Sequence, residues 1–259
     1  MRARAAMVLA TLAAGALAAS AAAQWGRQPE VSYTNIPYNG RFTFARIRFE
    51  PSQWGVSRRQ PWGLDLKWNH DYPRADQRLE EILELVTAAI PNTQGSVIVG
   101  LDDPELFRYP WAYLCEVGFL QLSDLEAENL RNYLLKGGFV VVDDFDGYHW
   151  FNFLDQMEKV MPEGRFIEIH ESHPVFHAFF EIEDLQFGVT SGAFFGYGWP
   201  RYFGLFEDND PDKRLMMIAN YNNDIGEYWE WADSEFIPID LTNDAYKLGI
   251  NYIIYSMIH

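Results

Sequence analysis

The chain has 259 residues, 48% of them hydrophobic, which is enough to bury a full core. Its formal charge of −17 disfavours nucleic acid and anionic lipid as partners. The single cysteine, Cys115, excludes an intrachain disulfide and any zinc site built on paired cysteines.

Residues 1–23 read as an export signal. Arg2 and Arg4 precede an apolar run from Met7 to Ala19, and Ala21-Ala22-Ala23 offers a small-residue cleavage site before Gln24. The run is too short and too Ala-rich for a permanent span. The expected mature chain is therefore periplasmic or secreted and has no transmembrane segment. Loss of the two arginines takes the formal charge from −17 to −19.

Residues 24–41 form a polar, Pro- and Asn-containing lead-in, and 42–259 read as one α/β domain. Phe42 to Phe49 fits a first strand, followed by a Trp/Gly/Pro loop over 51–74. Leu79, Ile82, Leu83 and Val86 recur at helical spacing, and Pro91 follows that helix. Ser96 to Leu101 and Ala112 to Val117 are short apolar strands. Ser123-Asp124-Leu125-Glu126 is a capping box that opens a second helix, stopped by Gly137-Gly138.

Phe139 to Val142 is the central strand, and Trp150, Phe153, Leu154 and Met157 mark a third helix. Phe166 to Ile169 reads as a short strand, with Pro174 in the first turn of a brief helix. Residues 186–202, rich in glycine and aromatics, read as an inserted excursion. Tyr202 to Phe206 and Leu215 to Ala219 are late strands. Ala245 to Ile258 is apolar nearly all round and predicts a helix packed deep against the sheet. The alternation of strands and helices means a mostly parallel sheet.

The strongest functional signal lies at 137–150. A Val-rich run of this kind is a strand covered on both faces, and open α/β sheets bind ligands at the carboxyl ends of such strands. Asp143, Asp144, Asp146 and His149 fall at that end. Three Asp with a His can hold a divalent metal, with Asp144, Asp146 and His149 as the candidate ligands. Neighbouring carboxylates can instead do acid–base work or bind a polar ligand. The structural alternative is that Asp143 or Asp144 caps the next helix.

Asp71 and Arg74, just before the first helix, are further candidates for ligand binding; Asp71 or Asp76 can equally cap that helix. His170, His173 and His177 admit a metal reading or a local cap, and Asn220 to Asp224 admits ligand-binding amides or a turn. Aromatic groups at Trp54, Trp62 and Trp68, at Phe194, Phe195, Tyr197, Trp199, Tyr202 and Phe203, and at Tyr228, Trp229 and Trp231 read as loop clusters. They can stack on sugars, bury a partner surface or form satellite cores.

Four stretches occur together in order: Trp68-Asn69-His70-Asp71-Tyr72-Pro73-Arg74-Ala75-Asp76, the Leu122-Ser123 to Gly137-Gly138-Phe139 unit, His173-Pro174-Val175-Phe176, and Leu248-Gly249-Ile250-Asn251-Tyr252-Ile253-Ile254-Tyr255. Over about residues 40–258 the chain resembles the bacterial DUF4159 family, a domain of unknown function. The resemblance implies a flavodoxin-like sheet related to class I glutamine amidotransferase-like and ThuA-like domains. It also implies export or fusion to membrane-anchored segments, and it supplies no reaction.

Working amidotransferases carry a cysteine on a sharp, glycine-flanked turn. Cys115 has no preceding glycine and has Glu116 beside it, so it reads as a buried small hydrophobe rather than a nucleophile. Two functional classes follow. One is a non-catalytic exported domain, without a required cofactor, that binds a partner protein or a glycan-like ligand at the cell envelope. The other is a hydrolase, possible with a divalent metal, that uses the cluster from Asp143 to His149.

Overall fold

The short apolar runs of the described residues build one seven-stranded sheet, and the long run at 245–258 lies in a helix. A computed structural model describes residues 33–52, 55, 59–60, 63–185, 198–235 and 237–259. Residues 1–23, read above as an export signal, and Trp54, Trp62, Phe194, Phe195 and Tyr197 lie outside the described residues. The strands are β1 (Ala45–Arg48), β4 (Val97–Gly100), β5 (Trp111–Cys115), β6 (Phe139–Asp143), β7 (Phe166–Ile169), β8 (Arg201–Phe206) and β9 (Leu215–Tyr221). A two-stranded ribbon, β2 (Arg59–Gln60) with β3 (Gly63–Leu64), stands apart from them.

The order across the sheet is β4-β1-β5-β6-β9-β8-β7. The first five strands are parallel, while β8 runs antiparallel to both β9 and β7. Counting only the parallel strands in chain order, the arrangement is 2-1-3-4-5, the flavodoxin-like order. The expected mostly parallel α/β sheet is present. Only β8 departs from it, because the short connection from β8 to β9 can join only antiparallel neighbours.

Every residue of β4, β5 and β6 is buried, as expected of strands covered on both faces. β6 lies between β5 and β9 and is parallel to both. One outer layer is formed by α1 (Arg74–Val86), α4 (Ile225–Glu230) and α5 (Ile239–Ile258), which pack on one another. In the other layer α2 (Asp124–Leu135) packs on α3 (His149–Val160). The capping box of α2 is formed in both directions, and Gly137 takes φ 108° after the helix.

The edge strand β4 is shielded by the lead-in: the Asn35 amide donates to Ile98 O and accepts from Ile98 N, both at 2.8 Å. This imitates a strand partner and blunts an open edge. Asn251 of α5 ties the 174–180 segment down, accepting from Phe179 N and Phe180 N and donating to Phe176 O and Phe180 O. Residues Thr34–His259 form one compact unit. Among the described residues no helix is long and apolar enough to cross a membrane.

Three local expectations are corrected. Tyr228 and Trp229 are not loop aromatics: they are buried on α4. The metal reading of His173 and His177 gives way to the local cap, because the helical turn is only Pro174–Phe176 and lies between them. His173 Nδ1 accepts from Val175 N as the cap, and His177 pairs with Glu181. Trp68 and Tyr202 are buried in packed structure and are not available as loop platforms.

Candidate functional site

Three strands of the parallel core end in a carboxylate. β5 is followed by Glu116, β6 by Asp144, and β9 leads through a turn to Asp224, the cap of α4. The segment Asp65–Asp71 arrives from β3 and crosses these ends. Arg46, fully buried on β1, holds that segment by donating to Trp68 O at 3.2 Å and His70 O at 2.8 Å. Its guanidinium is itself balanced by an ion pair with the buried Asp76. A buried arginine with a paired carboxylate and satisfied donors is tolerable where an unpaired one is not.

The result is a cavity of about 330 Å³ lined by Lys67, His70, Glu116, Asp144, Asp146 and His149, with Asp224 and Glu227 closing the α4 side. His70 stands at its centre. Nδ1 lies 2.9 Å from Asp144 Oδ2 and 3.4 Å from Glu116, and Nε2 lies 3.2 Å from Asp65. Lys67 bridges Asp65 at 3.0 Å and Glu116 at 3.1 Å. Gly118 makes room for the site, since a Cβ there would overlap the His149 ring.

Burial alone would lower the His70 pKa, but the hydrogen bonds to Asp144 and Asp65, with the charges of Asp144 and Glu116, outweigh it and lift it to about 11. His70 is therefore an imidazolium at neutral pH. Burial and the Asp144 charge push Glu116 up to about 7 against the pull of His70 and Lys67. Burial, then neighbouring carboxylates, also raise Asp71, Asp224 and Glu227. Asp65 moves the other way: its own burial opposes ionisation, but hydrogen bonds from His70 and Lys67 take it below the usual carboxylate range.

Five residues of this region hold left-handed backbone: Lys67 (φ 66°), Asp71 (62°), Glu116 (52°), Asp144 (54°) and Asn222 (57°). Such conformations cost of order 1 kcal/mol or more each and concentrate where a side chain must be aimed. They explain how sequence neighbours on a strand end can turn into one pocket. Asp143 is the last residue of the strand, and the left-handed turn at Asp144 brings the next carboxylate to His70. β5 ends in a sharp turn into a short 3₁₀ helix, with the left-handed Glu116 at its apex. Cys115, one residue earlier, is buried with Sγ 3.4 Å from Arg46 Nη1, and burial raises its thiol pKa well above the ordinary value.

The candidate residues separate as follows. Asp144, Asp146 and His149 line the cavity, and Asp71 lies beneath it. Asp143 does not line it. Its carboxylate is fully buried and accepts from Tyr113 Oη (2.8 Å), Asn220 Nδ2 (3.1 Å), Ile225 N (2.8 Å) and Gly226 N (3.1 Å). That arrangement latches β5, β9 and α4 together behind the site. Arg74 pairs instead with Asp233 at 2.9 Å and lies over the Trp231 ring.

Neither Asp143 nor Asp144 caps α3, which begins after Tyr148 with no side-chain cap. Neither Asp71 nor Asp76 caps α1. Among the described residues the groupings with ligand atoms within 4.8 Å of one another are His70/Glu116/Asp144, Asp71/Glu227/Glu230 and Asp71/Asp144/Asp224. Asp144, Asp146 and His149 do not converge in this way, because Asp144 turns inward to His70 while Asp146 turns toward His149 at 3.5 Å.

His70, Lys67, Glu116 and Glu227 are the site residues that the sequence reading passed over, and Asp224 entered it only as the end of the Asn220 to Asp224 segment. The strand-end argument used for β6 would have found Glu116 and Asp224 if applied to β5 and β9. Nothing local in the sequence marks Lys67 or His70.

A parallel core in flavodoxin-like order, with an acidic pocket at the strand carboxyl ends, defines an α/β domain of the strand-end-site class. The chain belongs to the DUF4159 family, described as "Domain of unknown function (DUF4159)", whose family model matches residues 43–257. No curated protein matches the chain.

Proposed function

We propose that this chain is an exported, non-catalytic binding domain whose strand-end pocket takes a hydroxyl-rich ligand such as a glycan of the cell envelope. One observation carries the reading: Glu116, Asp144, Asp146, Asp224 and Glu227 surround one cavity in which Lys67 and His70 are the cations. Such a wall repels anions and offers many oxygen acceptors to vicinal hydroxyls. Aromatic rings stand beside it. Tyr148 is 79% exposed next to His149, and Trp199 is 64% exposed. Asn222 joins their segments, donating to Trp199 O and accepting from Gly147 N. Export is supported by Arg2, Arg4, the apolar run and Ala21-Ala22-Ala23.

The test is a thermal-shift and calorimetric screen of neutral cello-, chito- and xylo-oligosaccharides, with polygalacturonate as the anionic control. A neutral sugar at a hundredfold excess over Kd should stabilise the chain by about 2.7 kcal/mol. Asp146→Asn with Tyr148→Ala should weaken that binding at least tenfold with little change in the unliganded Tm. No response across the panel, or a response unaltered in the double variant, refutes the reading. The alternative, a hydrolase, is favoured by the His70–Asp144 contact beside Glu116 at the apex of its turn; turnover of a chromogenic glycoside or ester that is lost in His70→Gln would establish it.

A further inference from the structure

We infer that Asp71, Asp144 and Asp224 form a binding site for one hard divalent cation at the inner end of this pocket, an inference that rests on reading the pocket as a ligand site. The three residues come from separate elements: the segment before α1, the end of β6 and the cap of α4. One carboxylate oxygen from each lies within 4.8 Å of the other two. A cation 2.0–2.6 Å from each oxygen accommodates separations of that size. The residues are only 8%, 6% and 5% exposed, so water does not screen the three carboxylates from one another.

A second observation points to the ligand. Asp71 Oδ2 is buried without a hydrogen-bond partner, while the Asp71 carboxyl also hydrogen-bonds with Glu227. A buried carboxylate oxygen left without a donor is costly and calls for a partner. The position is also crowded on the protein side: a Cβ at Gly226 would fall 2.5 Å from Asp71 Oδ2, so glycine is what lets the carboxylate sit there. Asp71 therefore stands among Asp144, Asp224, Glu227 and Glu230 with Oδ2 unsatisfied.

The donor set is all oxygen, which suits Mg²⁺, Ca²⁺ or Mn²⁺ better than a softer metal. His70 would not be a ligand. Its hydrogen bond to Asp144 orients that carboxylate, as partners of metal-binding side chains do. The coordination positions left over face the cavity, where water or the hydroxyls of a bound sugar can fill them.

The experiment is titration of the chelator-treated chain with Mn²⁺, followed by calorimetry and by electron paramagnetic resonance of free Mn²⁺, with Ca²⁺ and Mg²⁺ as competitors. One Mn²⁺ should bind per chain. Asp71→Asn and Asp224→Asn should each weaken it at least tenfold, while Glu163→Gln, at an exposed position outside the pocket, should leave it unchanged. Should either variant fail to fold, proton relaxation in the wild type decides, because bound Mn²⁺ must broaden the His70 ring resonances, identified by their loss in His70→Gln. Absence of stoichiometric binding, equal binding in both Asn variants, or an unbroadened His70 overturns the inference. Sugar binding that is indifferent to chelation overturns it while leaving the pocket reading intact. Mn²⁺ binding without any sugar response supports it and counts against the glycan.

Discussion

Replacing Asp143 separates a structural latch from a ligand-binding residue. The buried carboxylate accepts four hydrogen bonds, one each from Tyr113 of β5 and Asn220 of β9 and two from the first turn of α4. In Asp143→Ala the Tyr113 hydroxyl, the Asn220 amide and the Ile225 and Gly226 N–H groups lose their acceptor together. Each stranded buried donor costs about 1–3 kcal/mol. Part of this is offset, because burial already holds the Asp143 carboxyl up to about 6, against hydrogen bonds that pull it down. The low end of the range therefore applies, and about 4 kcal/mol should be lost, a large share of the roughly 5–15 kcal/mol by which domains are stable.

Asp143→Asn should lose about 2 kcal/mol. Its new NH₂ meets Asn220 Nδ2, and Asn220 cannot flip without taking its Oδ1 from the Tyr252 hydroxyl, which donates to it at 2.9 Å. Urea unfolding followed by tryptophan fluorescence measures both. With a slope of about 2–3 kcal/mol per molar, the alanine midpoint should fall by roughly 1.3–2 M. A loss below about 1 kcal/mol in the alanine variant refutes the latch and returns Asp143 to the list of side chains free for a ligand.

Two further outcomes follow. Glu80 is fully buried, with Oε1 accepting from Phe44 N and Oε2 unpartnered, and burial, reinforced by Asp76, holds its pKa up to about 9. It is protonated when folded and ionised when unfolded, so its contribution to stability falls as pH rises from about 4.5 to about 9, by up to about 1.4 kcal/mol per pH unit. Glu80→Gln should therefore exceed the wild type in Tm at pH 8 and lose that advantage near pH 4.5; an advantage independent of pH contradicts the assignment. Cys115→Ala should cost only about 1 kcal/mol for one buried sulfur atom and leave sugar or Mn²⁺ binding unchanged, and a loss of binding in a folded variant would show that the thiol takes part.

The strand and helix order was legible because burial on both faces writes itself into contiguous residues. Phe139–Asp143 reads as a covered strand whichever neighbours it acquires, and Ser123 with Glu126 forms its cap within four residues. The apolar 245–258 segment likewise announces a deeply packed helix. Tyr228 and Trp229 were misread because their short helix has too few turns to show a period, and its aromatics face a core assembled from α1 and α5.

The sequence by itself determined the α/β class, the buried central strand and the polar end at which a site belongs, since each depends on hydrophobic pattern and local turn chemistry. Only the tertiary structure decided which polar residues meet. Asp143 and Asp144 are adjacent and chemically identical, yet one is spent on Tyr113, Asn220 and α4 while the other faces His70. His70 and Asp144 are 74 residues apart, and Lys67 and Glu116 are 49 apart. Their pairing depends on Arg46 anchoring one segment over the ends of strands it does not adjoin in sequence. Charge and hydrogen bonding act through space over a few ångströms, so no local pattern encodes them.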